Sequence, residues 1–484
     1  MSATSCFYQA SETGFQRASV LPEQQRGKVY ADVPLNFFNN LEDLKTYVVE
    51  LKSLGVNVLL ILPHFLPSFS AYVVKDFEKP CKLFQTWENF ADFMLFVKEL
   101  GMDRMIDIPF NHADWQADNL KREWFKNHST KGIEAGADDE DADRKRVRIN
   151  WGAYELDNAN PELQNYWLEK VIFPHVEQMH VNAIRIDAAW GLDPSGLQRI
   201  IKETRRRFRH VWFLAENLGM APLIKLARSG IAAGADRFFN NMYWYSGGLY
   251  IPADIYKLYK RSGGLPTCTI FSSHDTLMPA MKAFARVRSA EVSGLNDKAI
   301  VRKFVEHDGL RSLQQVSKTD CQAAITLMKL DFALAALMSS DLMFAAGSER
   351  CLFERIDVLR SGPAEFARGI DTDLPAFISE LLQIKFSDRI FNCEGVLIPF
   401  GNWKPGKAGI KGFCKSTAKG RQLLVAVNTD AKTAACRLPK RLTSSGNFKI
   451  HTSAGFLPVD KLKTSIELLP GQLAIISSGA SHDF

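Results

Sequence analysis

Short apolar runs recur along this chain, separated by longer stretches in which apolar residues return every three or four positions. KVYADVPLNFF opens the series as a first strand, NLEDLKTYVVELKSLG follows with helical spacing, and VNVLLILPHF is a second strand. The alternation repeats through the helix TWENFADFMLFVKELGM and the strand DRMIDIPFNH. VNAIRIDAAW, VWFLAENL, ADRFFNNMYWY, TCTIFSSHD and DLMFAAGS supply strands four to eight. These runs are rich in β-branched and aromatic residues and bounded by turn signals, as buried parallel strands are. Eight of them with intervening helices predict an α/β chain folded as a (β/α)8 TIM barrel rather than an open sheet.

Two excursions interrupt the rhythm. Between Ala113 and Asn160 the polar stretch GIEAGADDEDADRKRVR predicts a small irregular subdomain inserted after strand three, over the rim. Its acidic run from Asp138 to Asp143 reads as a solvated loop, because it lacks the ligand order of a calcium loop. The second excursion, ARVRSAEVSGLNDKAIVRKFVEHDGLRSLQQVSKTD, separates strand seven from the helix QAAITLMKLDFALAALMSS. Farther on, short alternating runs such as RQLLVAVNTD and KTSIELLPGQLAIIS predict a C-terminal antiparallel β-sandwich. The expected division is an N-terminal segment 1–27, a catalytic barrel 28–112 and 160–390, an inserted subdomain 113–159 and a sandwich 391–484.

Size and composition add bounds. With 484 residues, 46% of them apolar, the chain can fill a large core, and a net charge of +6 spread over that length gives no footprint for a nucleic-acid or membrane partner. Arg205-Arg206-Arg207 reads as the solvated end of a helix. No run reaches the roughly 18 apolar residues of a membrane span. The segment MSATSCFYQASETGFQR has no basic stretch followed by an apolar one, so a cytoplasmic protein is expected. The eight cysteines are scattered without a C-x-x-C pair, which predicts free thiols and no cysteine metal site.

Three carboxylic acids stand at the ends of presumed strands: Asp187, Glu216 and Asp275. A parallel barrel gathers such positions at one rim, and retaining glycoside cleavage needs one carboxylate to attack the anomeric carbon and another, roughly 5 Å away, to protonate the departing oxygen. Asp187 suits the nucleophile and the longer Glu216 the acid. Arg185, two positions before Asp187, shares its face and is expected to keep it ionised. Asp107, Asn111 and His112 cluster at the end of strand three, and His274 precedes Asp275. A lone strand-end Asp usually caps a turn, so the weight lies in the combination. His64 either lines the site or bonds to backbone. His128, His175 and His180 lack metal-ligand spacing and read as surface or helix residues. Trp115, Trp124 and Trp151 either stack on sugars or form the subdomain's core.

DIPFNH, AIRIDAA, FLAEN and SSHDT resemble, in order, the four short conserved regions of the α-amylase family, glycoside hydrolase family 13. The resemblance implies Asp187 as nucleophile, Glu216 as general acid/base and Asp275 as transition-state stabiliser. It places Tyr72, Asp107, His112, Arg185 and His274 around the sugar at the cleaved bond, and implies an α-glucan or maltooligosaccharide substrate. It implies no cofactor beyond a structural calcium, for which Asn111 is the candidate ligand. Ala189-Trp190-Gly191 departs from the Ala-Lys-His continuation of many amylases and puts Trp190 on the acceptor side. LAE and FERIDVLRSGPAEFARGIDTDLPAFISELLQIK are closer to the maltosyltransferases that use maltose 1-phosphate, with Arg286, Arg288 and Arg302 as candidate cations. A third reading is a catalytically silent carbohydrate-binding barrel.

Overall fold

The computed structural model describes residues 27–127, 134–140, 146–218, 223–240, 242–245, 255, 257–258, 260–288, 297–358, 361–401, 408–417, 420–437, 446–452, 455–458 and 465–478. All eight expected runs form strands: β1 (Val29–Val33) and β2 (Val58–Ile61), then, past a hairpin of β3 (Phe65–Ser70) and β4 (Val73–Pro80), β5 (Asp103–Ile108). Beyond β6 (His112–Ala113), β7 (Glu134–Glu140) and β8 (Arg146–Glu155) come β9 (Ala183–Ile186), β10 (Trp212–Ala215), β11 (Arg237–Asn240), β12 (Thr267–Ile270) and β13 (Asp341–Ala345). They close a barrel in the order β1-β13-β12-β11-β10-β9-β5-β2. Burial at every position of β2, β9 and β10 accounts for their unbroken apolar sequence.

The helices follow from local chemistry. Leu41–Leu54 begins where the Asn40 side chain accepts from the Asp43 amide and ends at Gly55, whose φ of 105° suits only glycine. It buries Leu44, Tyr47, Val48 and Leu51 along one stripe, and Leu51→Ala there would cost about 2–5 kcal/mol.

Two sequence expectations are corrected. The inserted segment is not irregular: β6, β8 and β7 form an antiparallel sheet. Nor is its acidic run wholly a loop, because the backbone of Asp138–Glu140 pairs in antiparallel register with Arg146–Arg148. Residues 141–145 lie outside the described residues. In addition, the 21-residue helix Lys318–Met338 is long and apolar enough to cross a membrane. Its apolar residues pack against β12 and β13 and against two strands of the C-terminal sheet, which explains a composition that one-sided burial would not require.

The chain divides into two compact units, the first carrying β1 to β11 and the second β12 onward. The second includes β14 (Val396–Gly401), β15 (Ile410–Ser416), β16 (Gln422–Asn428), β17 (Ala434–Arg437), β18 (Gly446–Thr452), β19 (Gly455–Pro458), β20 (Ser465–Leu468) and β21 (Leu473–Ser478). These form an antiparallel sheet β14-β15-β16-β21-β18-β19 and a pair β17-β20, which enclose Leu424, Ala426, Ile466, Leu468, Ala474 and Ile476. The expected C-terminal sandwich is present.

Candidate active site

Strand register brings the charged residues of the first unit together. Asp107 on β5 pairs directly with Arg185 on β9, and Arg185 with Leu214 on β10. Asp187 and Glu216 come just beyond the ends of β9 and β10, where the Glu216 amide donates to the Ile186 carbonyl at 3.0 Å.

Arg185, 1% exposed, is the hub of this group. Its Nη1 pairs with Asp107 Oδ2 and lies 3.2 Å from Asp187 Oδ1, while Nη2 lies 3.1 Å from Glu216 Oε2. The Tyr72 hydroxyl donates to Asp107 Oδ2 at 2.6 Å and accepts from Arg185 Nη1 at 3.4 Å. Glu216 Oε2 also accepts the Ala188 N–H at 2.6 Å. Ala188 makes that contact from left-handed backbone, φ 46° and ψ 40°.

Burial alone would lower the Arg185 pKa, yet Asp107, Glu216, Tyr72 and Asp187 raise it above the ordinary value, so the guanidinium stays charged. Burial, followed by the Glu216 charge, holds the Asp187 carboxyl well above the usual carboxylate range. The expectation that Arg185 keeps Asp187 ionised is therefore corrected: Arg185 does lower the Asp187 pKa, but one cation shared among three carboxylates does not offset desolvation. Asp187 and Glu216 are bridged by the one guanidinium, Asp187 on Nη1 and Glu216 on Nη2. The double anchoring of Glu216 on Ala188 and Arg185 turns it back toward β9.

The other expected residues take varied places. His112 is buried, hydrogen-bonds to the main chain of Tyr72 and is pushed down to about 4 by desolvation, which leaves it neutral near pH 7. Trp190 is half-buried, with its carbonyl 3.5 Å from Ser229 Oγ. Asn111 is buried beside Gly191, where an added Cβ would come within 3.7 Å of Asn111 Oδ1. Among the described residues no cluster of three His, Cys, Asp or Glu side chains is arranged to hold a metal ion.

In the second unit, His274 Nε2 lies 3.2 Å from Asp275 Oδ2. His274 is buried, whereas the Asp275 side chain is 45% exposed. Their turn is held by the Thr276 hydroxyl, which accepts from the Ser273 amide at 2.9 Å, and by Ser273 Oγ, which accepts from the Asp275 amide at 3.2 Å.

Sequence reasoning missed Asp32. It is fully buried on β1 and adds negative field at Tyr72. A lone carboxylate inside the apolar run VYADV was the available signal. His64 bonds neither to backbone nor to the charged group: its Nε2 lies 2.8 Å from His175 Nε2 within an aromatic shell that includes Phe90, stacked at 4.3 Å. His175 is accordingly a buried helix residue and not a surface one. Trp124 is core, tilted against Tyr166, and Trp115 packs on Phe125 and Tyr154; His128 and the Trp151 side chain lie outside the described residues. Arg286 pairs with Asp331, and Arg288 lies 3.5 Å from Asp320.

A closed (β/α)8 barrel is the fold of the α-amylases, and comparison with solved structures establishes that likeness of fold. No protein-family model matches the chain. The α-amylase of Geobacillus thermoleovorans is 14% identical with a TM-score of 0.66, over 94% of this chain and 98% of that one. The maltogenic α-amylase AmyB of Thermotoga neapolitana is 15% identical with a TM-score of 0.65, over 94% and 99%. An α-amylase of Lactobacillus plantarum, 16% identical, has a TM-score of 0.63 over 94% and 99%. In sequence, a 1,4-alpha-glucan branching enzyme of Mycobacterium ulcerans is 25% identical over 185 residues, 36% of this chain and 23% of that enzyme. The matched stretch thus spans less than a quarter of that relative.

Proposed function

We propose that this protein is a retaining glycosidase or transglycosylase of the α-amylase family, acting on α-1,4-linked glucose oligomers. The observation that carries the reading is the buried Arg185 bonded to Asp107, Asp187 and Glu216. Burying three carboxylates around one cation is costly, and a fold keeps such a group where chemistry uses it.

In this reading the proton that Asp187 holds in the free protein passes to Glu216 as the sugar binds; the Asp187 carboxylate then attacks the anomeric carbon, the glycosidic C–O bond breaks, and Glu216 gives that proton to the departing oxygen. Water or a second sugar then attacks the anomeric carbon. Glu216 takes the proton of that acceptor, and the bond to Asp187 breaks. Tyr72, held upright by Asp107, offers its ring to the same sugar, and neutral His112 offers a hydrogen bond. Asp275 takes the role of stabilising the positively charged transition state.

The phosphate-dependent branch gains no support from Arg286 and Arg288, whose charges are matched by Asp331 and Asp320. The test is incubation of the protein, Asp187→Asn and Glu216→Gln with maltohexaose, with and without inorganic phosphate, the products being resolved by mass. Shorter sugars mean hydrolysis, longer ones transfer and sugar phosphates the third branch. Turnover by Asp187→Asn at the parent's rate would sink the assignment.

A further inference from the structure

The turn that carries Asp275 is tied to the insertion that follows strand β12 through one buried phenol. Tyr243, on the short helix Met242–Tyr245, is 5% exposed. Its hydroxyl donates to Asp297 Oδ2 at 2.9 Å and accepts the Leu277 N–H at 2.9 Å. Leu277 lies two residues past Asp275, at the end of the Ser273–Thr276 turn. Asp297 opens the helix Asp297–Val301 inside the insertion. Lys282 grips the tyrosine from a third side, donating to its carbonyl at 2.9 Å with the ammonium 3.7 Å from the ring centroid.

The direction of this relay is fixed chemically. Burial, followed by the Asp297 charge, raises the Tyr243 pKa well above the ordinary value, so the phenol keeps its proton. The proton points at the carboxylate acceptor, and a lone pair remains for the Leu277 amide. Asp297 thereby polarises the hydroxyl that fixes Leu277, a charge-assisted bond feeding a neutral one.

We propose that Tyr243 is a positioning residue that couples the insertion, through Asp297, to the backbone turn presenting Asp275. This rests on the reading of Asp275 as a stabiliser of charge at the reacting carbon, a role in which displacement of a carboxylate costs rate rather than affinity. The insertion's task is to supply Asp297, which holds that turn at its C-terminal side while Ser273 and Thr276 hold it from within.

Tyr243→Phe removes both hydrogen bonds and keeps the ring under Lys282. Asp297→Ala removes the acceptor, whereas Asp297→Asn retains an amide oxygen in its place. On maltohexaose, Tyr243→Phe and Asp297→Ala are expected to lower kcat about tenfold with KM held within about twofold, and Asp297→Asn to recover most of the loss. Combining Tyr243→Phe with Asp297→Ala should be no worse than either alone, as both cut one relay. Independently of turnover, amide hydrogen exchange at residues 271–279 should quicken in Tyr243→Phe and Asp297→Ala. Unchanged exchange there, or Asp297→Asn as impaired as Asp297→Ala, overturns the coupling. A parent protein that turns over no α-glucan defeats the proposed function instead, and exchange still decides the relay. Should Tyr243→Phe fail to fold, the two Asp297 variants carry the test.

Discussion

The Ala188 N–H reaches Glu216 Oε2 at 2.6 Å only because Ala188 adopts left-handed backbone, with φ at 46°. That conformation costs an alanine about 1–2 kcal/mol. Glycine would relieve it while adding unfolded-state entropy, so Ala188→Gly should leave stability within about 1 kcal/mol and preserve the N–H. Ala188→Val places a β-branched residue where it is a genuine outlier. We expect Ala188→Val to lose most activity through a displaced Glu216, and Ala188→Gly to keep it. Paired urea melts and maltohexaose assays check both, and equal activity in the two variants would detach Glu216 from this anchor.

Removing the hub should be severe. Arg185→Ala leaves Asp107, Asp187 and Glu216 buried around no cation, and loss of one partner of a buried pair costs about 3–5 kcal/mol. Arg185→Lys keeps a charge but cannot span three carboxylates from one planar fork. Denaturant unfolding should rank the parent above Arg185→Lys and Arg185→Ala last. Full stability in Arg185→Ala would mean that the group is not held as a unit.

The barrel was legible because both faces of its strands are buried, so VNAIRIDAAW or VWFLAENL carries its assignment in local composition alone. The hub was half legible: a period of two places Arg185 beside Asp187, but only strand register shows that Asp107 stands opposite Arg185. The Asp187 pKa was not legible, since desolvation and the distance to Glu216 are tertiary quantities. The strand Glu134–Glu140 was hidden because EAGADDE has the composition of a loop, and its pairing with Arg146–Glu155 supplies what propensity lacks. His64 and His175 lie 111 positions apart, and no spacing rule joins them.

The raised Asp187 pKa sets a pH signature. The folded protein keeps a proton that the unfolded chain releases near 3.8, so this group's contribution falls as pH rises from 3.8 through its folded pKa. The pair must hold one proton for Glu216 to deliver, so loss of this proton should set the alkaline limb of kcat/KM, above the ordinary carboxylate range. Glu216→Gln removes the neighbouring charge and should move the Asp187 titration down. A pH profile of residual activity, or carboxyl resonances followed by NMR, tests this, and an unmoved titration in Glu216→Gln would assign the shift to burial alone.

The His64–His175 pair predicts acid lability. His175 is pushed down to about 4 by burial, and His64 is lowered by burial and by the His175 charge. His175 Nδ1 donates to the Val171 carbonyl at 2.6 Å, so its Nε2 accepts from His64. The unfolded chain binds protons near 6.5 that the folded pair refuses, and the pair's stabilising contribution is lost as pH falls from 6.5 toward 4. Thermal melts across that window should decline less steeply in a His64→Phe, His175→Phe double variant. An identical slope would place the acid sensitivity elsewhere.

The C-terminal sheet helps close the end of the helix Lys318–Met338 within its own unit. Lys415, on β15, donates to the carbonyls of Leu337 and Cys393 at 3.0 Å each. Lys385 donates to those of Ala336, Ser339 and Phe391 at 2.6, 3.1 and 3.4 Å. Together they satisfy carbonyls at the C-terminus of the helix Lys318–Met338, which its own hydrogen-bond ladder leaves open. Lys415→Met orphans the buried Leu337 carbonyl at about 1–3 kcal/mol and frees the part-buried Cys393 carbonyl at less, so a loss of about 1–4 kcal/mol is expected in urea unfolding at pH 7. Burial pushes Lys385 down from 10.5 to about 7, so the unfolded chain takes up a proton that the folded one refuses. Stability should therefore rise with pH between about 7 and 10.5, and the rise should be absent in Lys385→Met. If Lys415→Met unfolds at the parent's urea midpoint, these carbonyls have other partners and the sheet is dispensable to the helix.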